Sequence, residues 1–467
     1  MISFHAAPDF ATGPDWQPVD GARDYRVSYF DTAELGLLRA GVTLRRTGAG
    51  WRLDAGEHRQ RWPMSHDLPD ELAELLAPWA GEPPLPVLTL RCTRTRYQVL
   101  DAGGEIVRQL ADDQVRAHSD SLALTTSRWR QLRLERGPAG SAEDLRQAAD
   151  LLARGGAIHR GATESGLDVA VHGHRPRSAA ITAGELLAGY LRTQCEALAG
   201  GYFAIIGSSF EDAALPAAVA EPPEAVHQTR VATRRLRAML RTYGALFDAD
   251  AVVRLEAELA WYAGLLGPVR DAEVMRSRLA RAVAELPADL VVGPVAERID
   301  QALRAELGQA GGRLHLCLRE DRYRALAANL AGWRSDPPFG ALADQPASAL
   351  GGYVEAAEHN LSKRLARAGR DGQDASLHSA RKAGKRARYA AEAAGPALGG
   401  QVSELAGAAK RLQEVLGEHQ DSVVAVLLLC RLAEQATRDG QNAFSYGVLV
   451  AGQLRLAAKS AKAARAR

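Results

Sequence analysis

The chain has 467 residues, 46% of them hydrophobic and 24% charged, which excludes disorder along most of the length and calls for two or three domains rather than one core. Lys and Arg number 58 against 56 for Asp and Glu, a formal net charge of +2, so a polyanion site has to come from segregated charge and not from an excess of base. The four cysteines (Cys92, Cys195, Cys317 and Cys430) have no metal-ligand spacing, no metal or cofactor is expected, and MISFHAAPDF does not read as a secretory signal, so a cytoplasmic protein is expected.

Residues 1 to about 170 read as α+β with strands dominating, a curled sheet or barrel. Leu88 to Leu100 alternates as an extended segment, Asp101-Ala102-Gly103-Gly104 turns, and Glu105 to Leu110 resumes, which predicts a hairpin. A further strand is expected through Trp129 to Glu135, then a helix from Ser141 to Arg154 with Ser141 as N-cap. The stretch His172-Gly173-His174-Arg175-Pro176-Arg177 breaks the pattern and is taken as the domain boundary. Beyond it an Ala-, Leu- and Arg-rich helical periodicity predicts an all-α bundle over 178–467, with joints at Leu215 to Glu224, Ser335 to Pro346 and Gly369 to Asp374. Its most apolar run, Val423 to Cys430, is far short of the roughly 20 residues needed to span a membrane, so no membrane partner is expected.

The helical part repeats itself. His227-Gln-Thr-Arg230-Val-Ala-Thr-Arg234-Arg235-Leu-Arg237 recurs as His378-Ser-Ala-Arg381-Lys382-Ala-Gly-Lys385-Arg386-Ala-Arg388, an offset of 151 residues. Downstream, Leu266-Gly267-Pro-Val-Arg270-Asp271 recurs as Leu416-Gly417-Glu-His419-Gln-Asp421, an offset of 150. Two blocks in the same order at nearly one spacing mark an internal duplication, with halves at 178–334 and 347–467 and approximate two-fold symmetry.

On a helix, His227, Arg230, Arg234, Arg237 and Arg241 fall within an arc of about 80°, while Ala232, Leu236, Met239, Leu240 and Tyr243 occupy the opposite side. In the second copy His378, Arg381, Lys385 and Arg388 repeat the stripe, Lys382 and Arg386 widen it, and Ala380, Ala383, Ala387, Ala390 and Ala391 lie opposite. No Asp or Glu occurs from Val226 to Phe247 or from Leu377 to Ala391. A solvated face would carry interspersed acids and would have no reason to recur. Crowded like charges point instead to a bound polyanion. His227 and His378 read equally as phosphate donors or as first-turn capping groups, and Asp271 and Asp421 read as N-caps in preference to a functional role.

Among polyanions, a uniform phosphate chain suits two base-blind stripes, because the planar guanidinium binds phosphate oxygens bidentately. Single-stranded nucleic acid would call for aromatic stacking platforms, and only Tyr389 stands beside a stripe. A nucleic-acid-binding module stays open through phosphate contacts alone.

The two motifs resemble the CHAD family, the conserved-histidine α-helical domain, whose repeated H-x-x-R-x-x-x-[RK]-R-x-R and L-G-x-x-x-D signatures stand complete in both copies. That resemblance implies two helical bundles about a basic groove, inorganic polyphosphate as ligand and association with polyphosphate granules. By position it implies His227, Arg230, Arg234, Arg235, Arg237, His378, Arg381, Lys382, Lys385, Arg386 and Arg388 as ligand groups, with Lys363, Arg364 and Lys410 as further candidates.

Residues 1–170 resemble a degenerate CYTH domain, the triphosphate tunnel fold. Tyr29 to Thr32, Leu35 through Arg46, Arg94, Arg96 and Asp112 to Val115 carry the likeness, which implies an antiparallel barrel. The family's opening ExExK strand is absent, since Met1 to Phe10 has no Glu or Lys, Arg133 precedes Glu135 where paired acids are expected, and no lysine stands near Arg52 to Gly56. Triphosphate hydrolysis needs convergent carboxylates to hold hard cations, so non-enzymatic binding is the expectation and an inorganic triphosphatase or polyphosphatase the alternative. Arg45, Arg46, Arg94 and Arg96 read either as an anion site or as a polar outer face of strands.

Overall fold

The computed structural model describes residues 2–6, 16–19, 21–159, 165–173, 182–207, 222–371 and 373–465. Residues 174–177 of the boundary stretch and 215–221 of the first expected joint lie outside them. The chain divides into two compact units, Met1–Ala179 and Ala180–Arg467.

The first unit is an antiparallel sheet with short helices. Its strands are β1 (Ile2–Ala6), β2 (Gln17–Pro18), β3 (Arg23–Asp31), β4 (Val42–Thr47), β5 (Gly50–Ala55), β6 (His58–Trp62), β7 (Leu85–Leu100), β8 (Ile106–His118), β9 (Arg128–Arg136) and β10 (Ile158–His159). They run in the order β10-β1-β9-β8-β7-β3-β4-β5-β6, with β2 beside β7. The hairpin β7–β8 forms as expected, and its turn is closed by Asp101, whose carboxylate accepts from the backbone of Gly103 and Glu105. Helices α1 (Gly36–Ala40), α2 (Asp70–Ala80), α3 (Ala142–Arg154) and α4 (Gly166–His172) complete the unit, and Ser141 caps α3 in a capping box with Asp144. Alternation along the strands gives the sheet two apolar faces. Val27, Tyr29, Leu88, Leu90, Val115 and Trp129 pack on α4, and Phe4, Leu110, Leu132 and Leu134 pack on α3.

The second unit is all helical apart from isolated bridges, among the described residues: α5 (Ala183–Ile206), α6 (Pro222–Tyr243), α7 (Ala249–Ala284), α8 (Val295–Leu318), α9 (Asp321–Ser335), α10 (Leu350–Asp371), α11 (Asp374–Leu398), α12 (Gly400–Arg438) and α13 (Phe444–Arg465). The duplicated motifs fall on corresponding helices, the histidine motif on α6 and α11 and the aspartate motif on α7 and α12. An apolar cluster of Met275, Leu279, Ile299 and Leu303 with Ala425, Leu429, Tyr446 and Leu449 ties α7 and α8 to α12 and α13, so the halves share a core.

The faces assigned to the core are buried. Leu236, Met239, Leu240 and Tyr243 on α6, and Ala380, Ala387, Ala390 and Ala391 on α11, are all nearly inaccessible. Small residues bring backbones close here. On α5, a Cβ added to Gly201 would lie 1.9 Å from the Thr229 hydroxyl of α6, a hydroxyl already committed to the Ala225 carbonyl at 2.7 Å. Gly201→Ala is therefore expected to destabilise the helical unit by about 1–3 kcal/mol through overpacking, read as a lowered urea midpoint. Unchanged stability would mean that α5 and α6 can separate freely.

Candidate anion-binding site

The two basic helices lie against each other. Tyr243 of α6 donates to the Ala390 carbonyl of α11 at 2.8 Å, Arg235 reaches Glu392 at 3.1 Å, and Arg234 reaches the Tyr389 hydroxyl at 3.4 Å. Their apolar faces are spent on the core, so the stripes from both repeats border one seam.

Part of the stripe is neutralised, by acids that lie on a neighbouring helix or just beyond the acid-free stretch of α11. Glu256 of α7 takes both Arg237, at 3.0 Å, and Arg241, at 2.5 Å. Glu392 takes Arg235 and, one turn away on its own helix, Arg388 at 2.7 Å. Tyr389, itself buried, lies beneath the guanidinium groups of Arg235 and Arg388, where it supports cations and offers no face to a base. The expectation that these cations lack acidic partners fails for Arg230, which meets Asp271 of α7, and for Arg235, Arg237, Arg241 and Arg388, because neighbouring helices and the following turn supply the carboxylates.

Four groups are arranged differently: Arg230 and Arg234 from α6, Arg381 and Lys385 from α11. They are two repeat-equivalent pairs, Arg230 with Arg381 and Arg234 with Lys385, each separated by 151 residues. The Nε atoms of Arg234 and Arg381 are buried without a hydrogen-bond partner. Among the described residues no carboxylate pairs with Arg234, Arg381 or Lys385. Burial, with Arg381, Arg234 and Arg230 close by and Asp421 opposing them, pushes the Lys385 ammonium down to about 7. Burial likewise lowers Arg381, against the pull of Asp421 and, more weakly, Asp271, and with Arg234 and Arg230 repelling it. Such desolvated, mutually repelling cations are a cost to the fold that an entering anion would offset.

His227 lies at the edge of this group. Burial and the nearby Arg270 hold its imidazole below the usual value, against Glu224. His378 donates from Nδ1 to the Gln420 Oε1 at 3.2 Å, and burial together with Lys382 lowers it too. Both are within their helices and neither caps one. At neutral pH they are hydrogen-bonding groups rather than charges. Lys382 is exposed. Arg386 is lowered by burial and by Arg241 and Arg364, which places these three cations together at a second node. Lys363 and Arg364 lie on α10 around a surface depression that also takes in Arg367 and Arg370, two cations not singled out from the sequence. Lys410 is exposed on α12, and no described contact brings it to the seam.

The aspartate motif corrects a reading. Asp271 and Asp421 are not N-caps: α7 and α12 run straight through them. Gly267 and Pro268 suggest a break, but the helix absorbs both. Arg230 donates to Asp271 at 2.7 Å and to the Gly267 carbonyl at 3.1 Å. Asp421 faces Arg381 and Arg278, and its carboxyl is raised chiefly by burial. Arg278, also missed, binds Glu418 at 2.7 Å, Ser422 at 2.7 Å and Gln453 at 2.7 Å, joining α7 to α12 and α13.

In the first unit the four arginines do not form one site. Adjacent strand residues point to opposite faces. Arg45 lies across from Tyr29 and binds Asp54 at 3.0 Å, whereas Arg46 is on the other face, over the rings of Phe30 and Trp51. Arg94 is held by Asp113 at 2.6 Å, and Arg96 is exposed. The acids are likewise engaged: Asp112 by Arg130, Asp113 by Arg94 and Arg133, and Asp54 by Arg45 and Arg52.

Comparison with known proteins adds to this geometry. The sequence profile of the CHAD domain matches residues 211–430, a span that contains both histidine motifs and both aspartate motifs. Two uncharacterized proteins from strains of Mycobacterium tuberculosis are each 30% identical over 452 residues, covering 90% of this chain and 84% of the relative. The chain belongs to the CHAD family. Among solved structures, PptA from Streptomyces chartreusis is 25% identical, covers 61% of this chain and 98% of its own, and superposes with a TM-score of 0.48. Within this CHAD protein no described helix is long and apolar enough to cross a membrane.

Proposed function

We propose that the chain binds inorganic polyphosphate without cleaving it, through the seam between α6 and α11, and that it does so at polyphosphate granules. One observation carries the reading: repeat-equivalent cations from two helices converge on that seam, and Arg234, Arg381 and Lys385 have no carboxylate partner among the described residues. A linear polymer of phosphates matches a site that extends beyond one spot, since Arg386, Arg241 and Arg364 cluster nearby and a row of cations continues on α10. The buried position of Tyr389 favours phosphate over base recognition. Engagement of Asp54, Asp112 and Asp113 by arginines takes these three carboxylates away from holding a cation for hydrolysis, and supports binding rather than turnover.

The test is titration of the full chain with polyphosphates of increasing length, with excess RNA as competitor and phosphate release from tripolyphosphate followed in Mg²⁺ or Mn²⁺. Saturable binding that strengthens with length, survives RNA and releases no phosphate is expected. Displacement by RNA at physiological salt would replace this reading with nucleic-acid binding, and sustained phosphate release would replace it with a triphosphatase.

A further inference from the structure

We propose that Asp271 is a resident counter-anion: its carboxylate occupies Arg230 in the empty seam, and an entering phosphate must displace it, so that Asp271 sets the affinity of the site. This rests on the polyphosphate reading and adds a residue that works against the ligand.

The geometry around Arg230 has two sides. Toward α7 the guanidinium is fixed by the Gly267 carbonyl at 3.1 Å, a backbone acceptor that stays when the ligand arrives. Its other partner is Asp271 at 2.7 Å, whose side chain keeps 68% exposure while that of Arg230 keeps 24%. An anchored cation with an exposed carboxylate is an ion pair that solvent screens and a stronger, multiply charged anion can replace. The freed carboxylate has space to move into, because Asp271 also lines a cleft of about 970 Å³ bounded by Trp261, Leu265, Met275, Leu303 and Leu427 between α7, α8 and α12.

The duplication supplies an internal comparison. The equivalent pair in the second half is Arg381 with Asp421, and there the Nε of Arg381 is buried with no hydrogen-bond partner. In one copy the arginine is held directly by its own aspartate, and in the other the aspartate acts without such a contact and leaves the arginine Nε without a hydrogen-bond partner. The second copy, together with Arg234 and Lys385, therefore makes the first contacts with a phosphate chain, and Arg230 is recruited once the polymer is held nearby at high local concentration. The same aspartate stabilises the empty protein, because among the described residues its ion pair with Arg230 is the direct one made to this group of four cations, Asp421 acting on Arg381 and Lys385 without such a contact. Affinity and stability should thus respond in opposite directions when it is neutralised.

Asp271→Asn in the full chain tests this, since the substitution is isosteric and the side chain is exposed. With a polyphosphate of fixed length, affinity is expected to rise about two- to five-fold, the range set by the modest strength of an exposed ion pair. The salt dependence should steepen by about one counterion or slightly less, and the melting temperature of the unliganded variant should fall. Unchanged or weaker binding by a variant whose helical circular dichroism matches the unaltered chain would overturn the proposal, as would an affinity gain without a steeper salt slope. Absence of polyphosphate binding by the unaltered chain is a different result: it removes the ligand reading itself, and the displacement with it.

Discussion

Replacing Arg234 and Arg381 together by glutamine is expected to lower polyphosphate affinity by about two orders of magnitude or more, while raising the melting temperature of the unliganded protein by about 2–4 °C. The affinity estimate follows from removing two charge-assisted phosphate contacts, each worth roughly 1.5–3 kcal/mol. The gain in stability comes from the same atoms. Both guanidinium groups have a buried Nε with no partner, and repulsion within the set of Arg230, Arg234, Arg381 and Lys385 opposes folding. Neutral, shorter glutamines remove both costs, and about 1 kcal/mol corresponds to a few degrees for a domain of this size.

A contrasting pair makes the result specific. Arg237→Gln with Arg241→Gln removes as much formal charge, all of it from α6, but those cations share Glu256. Their loss leaves that carboxylate, which is 24% exposed, without a partner, so stability should fall while affinity changes less than about five-fold. Binding isotherms and melting curves on the two double variants should therefore cross: weak binding with a firmer fold in one, near-normal binding with a looser fold in the other. If both double variants lose affinity equally, total positive charge matters and the seam does not.

That contrast could not have been drawn from the sequence, although much of its frame could. Periodicity separated the cationic stripe from the buried face of α6 because Leu236, Met239, Leu240 and Tyr243 recur at helical spacing, and the duplication identified α11 as its counterpart. What periodicity cannot supply is the partner of each cation. Glu256 is 19 residues from Arg237, and Asp271 is 41 residues from Arg230, distances set by how α7 folds back along α6. Glu392 was legible in part, being four residues beyond Arg388, a spacing at which helical side chains meet. Asp271 and Asp421 were misread because each follows a glycine and precedes an apolar helical run, the pattern of a helix start; here packing of Leu266 and Val269 on the core keeps α7 continuous, Pro268 included. In the sheet unit, the period of two already forbids Arg45 and Arg46 from sharing a face, so that correction was available from the pattern alone.

Polyphosphate binding is expected to weaken as pH rises above about 7, by up to about ten-fold per pH unit, and Lys385→Met is expected to remove most of this dependence. Burial and the adjoining Arg381, Arg234 and Arg230 bring Lys385 to about 7 from an ordinary 10.5, with Asp421 pulling the other way. In the empty protein the ammonium is therefore charged below about pH 7 and lost as pH rises through it. A bound polyanion favours the charged form, so above that pH binding takes up a proton, and one proton gives at most a ten-fold change per unit. His227 and His378 do not reproduce the effect, since both are held below the usual imidazole value and gain charge only at more acid pH. The sign for stability is the reverse of that for binding. Between about pH 7 and 10.5 the unfolded chain holds the Lys385 proton and the folded chain does not, so the unliganded fold gains stability from this group as pH rises through that window, and bears its full penalty below it. Calorimetric titrations in buffers of different ionisation enthalpy would measure the proton uptake directly. An affinity that is flat from about pH 6 to 9 in the unaltered chain, or a slope that Lys385→Met leaves intact, would remove Lys385 from the binding seam.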